Sequence, residues 1–218
     1  MFTGIIQELG TIKHITKNNN SMQITINSTV VISNVNLGDS IAVNGTCLTV
    51  TNFNKNSFCV DVMPETFVTT SLKDCKESSL VNLEPALMLT SKLGGHFVSG
   101  HIDGVGKIIA KKSQANAIYY DIQVQDAQML KFCIYHGSIA VDGVSLTIFG
   151  ADNNIITISL IPHTVKNTVL GFKVIGDIVN LEFDMLAKFT ARLIEFKSES
   201  SPVTDRLNAT FLEQHGFI

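Results

Sequence analysis

The 218-residue sequence contains no tryptophan, and only two of its sixteen basic residues are arginines, Arg192 and Arg206. Forked guanidinium donors for phosphate and base edges are therefore nearly missing, and a net charge of −3 gives no footprint for nucleic acid. Charged residues are also scarce, 16% against 45% hydrophobic, which excludes a disordered chain and favours packed cores. No apolar run is long enough to cross a bilayer, and Met1-Phe2-Thr3-Gly4 opens without the basic and apolar regions of a secretion signal. The expectation is a cytoplasmic protein with no membrane partner. The four cysteines, Cys47, Cys59, Cys75 and Cys133, lack C-x-x-C spacing, so neither a disulfide framework nor a zinc site is indicated, and free thiols are expected. No glycine-rich phosphate loop is present, so no nucleotide cofactor is expected.

What the sequence does contain is a repeat. Ser40-Ile41-Ala42-Val43-Asn44-Gly45-Thr46-Cys47-Leu48-Thr49 returns 98 residues later as Ser138-Ile139-Ala140-Val141-Asp142-Gly143-Val144-Ser145-Leu146-Thr147. At the same offset Met63-Pro64-Glu65-Thr66 matches Ile161-Pro162-His163-Thr164, and Val81-Asn82-Leu83-Glu84 matches Val179-Asn180-Leu181-Glu182. With a small slip, Phe2-Thr3-Gly4-Ile5 aligns with Val98-Ser99-Gly100-His101, which divides the chain into copies 1–97 and 98–185 and a tail, 186–218. Within each copy, short stretches rich in Val, Ile, Thr and Phe alternate with turn signals: Asn18-Asn19-Asn20, Asn44-Gly45, Asn54-Lys55-Asn56, Asp152-Asn153-Asn154. About six strands in so short a copy must protect their edges, and closure does this most simply, so the fold class is all-β with two antiparallel barrels in tandem. In the tail, Leu186, Phe189, Leu193 and Phe196 recur at helical spacing after Asp184, while Lys188, Arg192, Glu195 and Lys197 take the watered side. After Ser201-Pro202, the residues Leu207, Phe211 and Leu212 predict a short last helix stopped at Gly216.

The two turn dipeptides are followed by Cys47 with Thr49, and Ser145 with Thr147, each pair on one face of a strand. One reading is a hairpin with small polar residues in water; the other is two equivalent pocket walls tuned to different jobs by the exchange of Cys for Ser and Asn for Asp. The joint, Gly94-Gly95-His96-Phe97-Val98-Ser99-Gly100-His101, combines flexible backbone with two histidines. His101 is a candidate for proton transfer near neutral pH, against a structural role in the linker. Asp184 is either a helix N-cap or a site residue. Metal ligands at a regular spacing are missing.

Together, Met1-Phe2-Thr3-Gly4-Ile5, Asn44-Gly45-Thr46-Cys47-Leu48-Thr49-Val50, Gly94-Gly95-His96 through His101, Asp142-Gly143-Val144-Ser145-Leu146-Thr147 and the ending Phe211-Leu212-Glu213-Gln214-His215-Gly216-Phe217 resemble the riboflavin synthase family. The resemblance implies two six-stranded Greek-key barrels, a C-terminal helix and a homotrimer whose sites lie between neighbouring chains. It implies a cofactor-free dismutation of two molecules of 6,7-dimethyl-8-ribityllumazine to riboflavin and 5-amino-6-ribitylamino-pyrimidinedione, and leaves open an association with lumazine synthase. By motif, the catalytic set would be Ser145, Asp142, Thr147, Asp184, Cys47 and His101. Substrate would touch Gly4, Ile5, Ser40, Thr49, Met63, Thr66, Ser99, Gly100, Ile161 and Thr164. His163 stands where the family often carries an acid like Glu65. The resemblance also extends to the non-catalytic lumazine protein of luminous bacteria, whose catalytic motifs would be eroded.

Overall fold

The computed structural model describes residues 1–18, 21–199 and 209–217. Six strands, β1 (Glu8–Asn18), β2 (Ser21–Asn27), β3 (Ser40–Val43), β4 (Thr46–Phe53), β5 (Ser57–Val62) and β6 (Leu80–Pro85), close a barrel in the order β1-β2-β5-β4-β3-β6. The second six, β7 (Gly104–Gln114), β8 (Ala117–Val124), β9 (Ser138–Val141), β10 (Val144–Asp152), β11 (Ile155–Leu160) and β12 (Ile178–Phe183), close a second barrel with the same connectivity. In each, three hairpin-linked strands are joined on their far side by the strand that precedes them, a Greek key, and every pairing is antiparallel. The tandem barrels that alternation and repetition predicted are therefore present. A short helix opened by proline separates the fifth strand from the sixth, α1 (Pro64–Thr69) in the first barrel and α2 (Pro162–Asn167) in the second. The sequence slip between the copies is absorbed by a 3-10 segment, residues 31–34 in one copy and the longer 127–132 in the other.

Strand alternation decides what lies inside. In β2, Met22, Ile24 and Ile26 are buried; in β10, Val144, Leu146 and Ile148 are buried while Ser145, Thr147 and Phe149 point outward. Each barrel thus fills its own interior with apolar side chains, mostly aliphatic, while Ser145 and Thr147 stay on the outer wall. After β12 the chain forms α3 (Met185–Glu199), whose first turn is capped by Asp184 Oδ1 accepting from Leu186 N at 2.9 Å. The last helix, α4 (Ala209–Gln214), ends before Gly216 at φ +73°; Arg206, Leu207, Ser201-Pro202 and the Asn19-Asn20 turn lie outside the described residues. Lys188, expected in water, is instead ion-paired with Asp103, 2.8 Å from Oδ2. No helix among the described residues is long and apolar enough to cross a membrane.

The barrels meet at their two matched hairpin turns. Gly45 and Gly143, both at φ +80°, touch so closely that a Cβ on either would lie 2.7 Å from the other's backbone nitrogen. Around this contact three buried amides and one carboxylate tie the two copies together across the junction. Asn82 Nδ2 donates to Asp142 O and Asn180 Nδ2 donates to Asn44 O, both at 2.8 Å. Asn82 Oδ1 accepts from Val169 N, and Asn180 Oδ1 from Ser71 N. Asn44 Oδ1 and Asp142 Oδ1 hold the backbone of Asn82 and Asn180 in the same way in their own barrels. Symmetry breaks at one atom: Asp142 Oδ2 is buried without a hydrogen bond, 3.8 Å from Lys173 Nζ.

Burial raises the Asp142 carboxyl above its ordinary value, with Lys173 and the Asn180 backbone opposing. The folded state then holds this proton more tightly than the unfolded chain, so Asp142 contributes stability below the carboxylate range that is lost as pH rises through it. Asp142→Asn, which installs what the first copy carries at Asn44, should flatten that loss in melts recorded between acidic and neutral pH. At pH 7 its melting temperature should stay within roughly 5 °C of wild type, about 1 kcal/mol for a domain of this size.

Candidate functional site

The residues singled out by the repeat form two matched cradles on the outer walls of the barrels. In the first, Cys47 and Thr49 point outward from β4, Ser40 on β3 pairs with Thr49, and Met63 and Thr66 lie where β5 passes into α1. In the second, Ser145 and Thr147 point outward from β10, Ser138 pairs with Thr147, and Ile161 and Thr164 lie where β11 passes into α2. Met63 and Ile161, at matched positions in the two copies, are both apolar and exposed.

Each cradle is finished by the opening segment of a copy. Phe2 and Val98 form an antiparallel bridge, Phe2 N donating to Val98 O at 2.7 Å and Val98 N to Phe2 O at 3.1 Å, and both side chains are buried between the barrels. From this bridge Thr3-Gly4 and Ser99-Gly100 each run onto the far barrel. Ser145 N donates to Gly4 O at 2.7 Å, and Cys47 N to Gly100 O at 2.8 Å. Both glycines are in the left-handed region, and a Cβ on Gly4 would meet Ser145 Cβ at 2.6 Å, one on Gly100 Cys47 Cβ at 2.5 Å. Ile5 and His101, matched positions just beyond, are exposed.

The segments are anchored by buried carboxylates. Glu84 on β6, 3% exposed, accepts from Thr3 N at 2.6 Å, Thr3 Oγ1 at 2.7 Å and Gly4 N at 3.0 Å. Glu182 on β12, 2% exposed, accepts from Ser99 N, Ser99 Oγ and Gly100 N at 2.6, 2.7 and 2.9 Å. Burial raises the Glu84 carboxyl against the pull of these donors.

One residue has no counterpart in the other copy. His96 sits between the repeats; its backbone N donates to Thr3 O at 3.1 Å, and its Nδ1 lies 2.7 Å from Ser145 Oγ. Its Nε2 is buried with no partner. Sequence reasoning placed proton transfer on His101; the structure leaves His101 on the surface beside the Cys47 wall and brings His96 to Ser145. The signal lay in Gly94-Gly95, since Gly95 packs where any Cβ would strike Thr3 O and Ser145. Asp184 caps α3, and its charge also acts on the His96 ring. Asp142 lines neither cradle: it is fully buried in the junction. Among the described residues no group of three or more His, Cys, Asp or Glu side chains is placed to hold a metal ion.

A buried neutral imidazole against a serine hydroxyl can accept its proton or return one; a thiol on the matching wall offers a softer, less polar face. The two cradles are therefore alike in shape and unlike in chemistry.

The lumazine binding domain family matches the chain twice, over residues 3–86 and 99–184. Riboflavin synthase of Bacillus subtilis (strain 168) is 48% identical over 217 residues, spanning 100% of both chains. Riboflavin synthase of Actinobacillus pleuropneumoniae is 46% identical over 217 residues, again spanning 100% of both. Among solved structures, LumP complexed with 6,7-dimethyl-8-(1'-D-ribityl) lumazine superposes with a TM-score of 0.74 at 28% identity, covering 84% of this chain and 98% of that one. LumP complexed with riboflavin gives 0.77 at 27% identity, covering 84% and 99%.

Burial lowers the His96 pKa below the imidazole value of 6.5, opposed by Asp184. The unfolded chain binds this proton more readily, so stability present above that value is lost as pH falls through the lowered one. An NMR titration should show one histidine ring titrating below 6.5, and His96→Gln should remove that signal and reduce the loss of stability on acidification.

Proposed function

The chain belongs to the lumazine-binding domain family, and on that premise we propose that it carries out the riboflavin synthase reaction: two 6,7-dimethyl-8-ribityllumazines give riboflavin and 5-amino-6-ribitylamino-pyrimidinedione. The observation that carries this reading is the pair of matched cradles, one walled by Ser145 and one by Cys47, on a chain 48% identical end to end to the Bacillus subtilis enzyme. The four carbons that one lumazine loses are those the other gains, so the reaction needs two copies of one substrate in unequal surroundings. Two related barrels provide that, and holding both molecules removes much of the entropic barrier to their encounter.

In this reading Ser40, Thr49, Met63, Thr66, Gly4, Ile5, Ser99, Gly100, Ile161 and Thr164 hold rings and ribityl chains, and Thr147 donates a hydrogen bond beside Ser145. Ser145, with its proton shared with His96, activates the attacking hydroxyl or water. His101 on the Cys47 side moves the proton of the acidic C7 methyl group, and Asp184 stabilises positive charge that develops on His96. Asp142 acts on the junction and touches no substrate. The free thiols suit a reducing, cytoplasmic compartment.

The exposed stripe of α3, Leu186, Phe189, Leu193 and Phe196 at 60 to 67% exposure, supports self-association as a homotrimer that brings a Cys47 cradle of one chain to a Ser145 cradle of the next. The similarity to LumP supplies a second reading, a ligand-holding protein without turnover.

Incubating the pure protein with the lumazine, cofactor-free, should yield one riboflavin per two lumazines consumed, unaffected by a chelator. Tight lumazine binding without riboflavin selects the second reading. Removing residues 186–218 should give monomers by light scattering that bind lumazine but turn it over at least roughly a hundredfold more slowly, the scale of a lost positioning element. An active monomer would sink the shared site.

A further inference from the structure

We propose that Glu84 and Glu182 are positioning residues that act across the barrel boundary, each setting the reactive wall of the barrel it does not belong to. This rests on the reading of Ser145 and Cys47 as the two cradle walls. Glu84 belongs to the first barrel, yet the segment it holds, Thr3-Gly4, covers Ser145 of the second. Glu182 belongs to the second, and Ser99-Gly100, which it holds, covers Cys47 of the first.

The bonding is specific to a carboxylate. Each Glu meets only donors: two backbone N–H groups and one hydroxyl, at 2.6 to 3.0 Å. A glutamine has the same shape but must turn its own amide donor toward one of them. The next link is equally short, since the carbonyl of each held glycine accepts from the backbone nitrogen of Ser145 or Cys47 at 2.7 to 2.8 Å. On the Ser145 side the relay has a further branch. Thr3, held by Glu84 through N and Oγ1, accepts from His96 N, so the same carboxylate also sets the imidazole against Ser145 Oγ.

The test needs no substrate. Ser145→Cys places at position 145 the residue that the first copy carries at Cys47, so alkylation by iodoacetamide, resolved by peptide mapping, reports both walls in one protein. Cys75 and Cys133, whose thiols burial pushes up to about 11, react slowly and serve as references. In this background Glu84→Gln should speed labelling at position 145 about tenfold, the effect of losing a charge-assisted hydrogen bond on local opening, and leave Cys47 within about twofold. Glu182→Gln should do the reverse. Thr3→Val and Ser99→Ala, which remove only the hydroxyl from each clamp, should give the same crossed pattern with smaller amplitude, and they decide the matter if a glutamine variant does not fold. Equal acceleration at both positions, acceleration on the clamp's own barrel, or no change at either position would overturn the proposal. Failure of the unmodified protein to make riboflavin would overturn the catalytic reading and leave the crossed labelling pattern intact.

Discussion

Phe2 and Val98 begin the two copies, and they begin them side by side. Two backbone hydrogen bonds and two fully buried side chains fix the copies in antiparallel register at one point. Everything nearby follows from that register. The next two residues of each copy must leave the bridge in opposite directions, and each pair reaches the outer wall of the other barrel. There the conformation demands glycine, because Gly4 and Gly100 approach Ser145 and Cys47 within the space of a single carbon. Buried glutamates hold the two segments, each by two backbone nitrogens and one hydroxyl. Burying a carboxylate is costly unless several donors meet it, and three do in each case.

The repeat makes the cradles similar; a few exchanges make them different. Cys47 against Ser145 replaces a soft thiol with a hydroxyl. Asn44 against Asp142, together with Cys75 against Lys173, places one ion pair in a junction whose other half is neutral. An isolated charge there would be untenable, and the 3.8 Å separation without a hydrogen bond makes this pair a weak stabiliser. His96 is a further difference, because the linker before the second copy brings an imidazole to Ser145 Oγ. A homodimer of identical barrels could not have this asymmetry, whereas two copies in one chain acquire it from the joint itself.

Much of this could be read before folding. The repeat, its β-rich stretches and its turn signals pointed to two closed barrels, and the hairpin dipeptides put Cys47 with Thr49, and Ser145 with Thr147, on one face of a strand. The partners of those residues could not be read. Glu84 and Glu182 were visible as matched positions, but their donors lie 80 to 83 residues away, and local pattern carries no information about such a contact. Asp142 shared its turn with a reactive-looking serine, and sequence could not show that one residue of the pair faces the junction while the other faces out. The choice between His96 and His101 likewise depended on which way the chain leaves Gly94-Gly95. Asp184 fills the cap at the start of α3, and its charge also reaches the His96 ring.

A barrel of this kind cannot complete its own wall. Taken alone, the first copy would keep six paired strands and the Glu84 clamp, yet Cys47 N would lose the Gly100 carbonyl, and Asn82 would lose Asp142 and Val169 as partners. Unpaired buried amides are expensive, so the junction face is one that a single copy must cover with something of the same pattern. The second copy supplies it with Asp142 and Asn180 where the first has Asn44 and Asn82. The same contact that satisfies these amides thus brings each opening segment to the opposite cradle. The packing of the two copies and the placement of the Cys47 and Ser145 walls are set by one interface, which is why the walls can differ in chemistry while remaining matched in position.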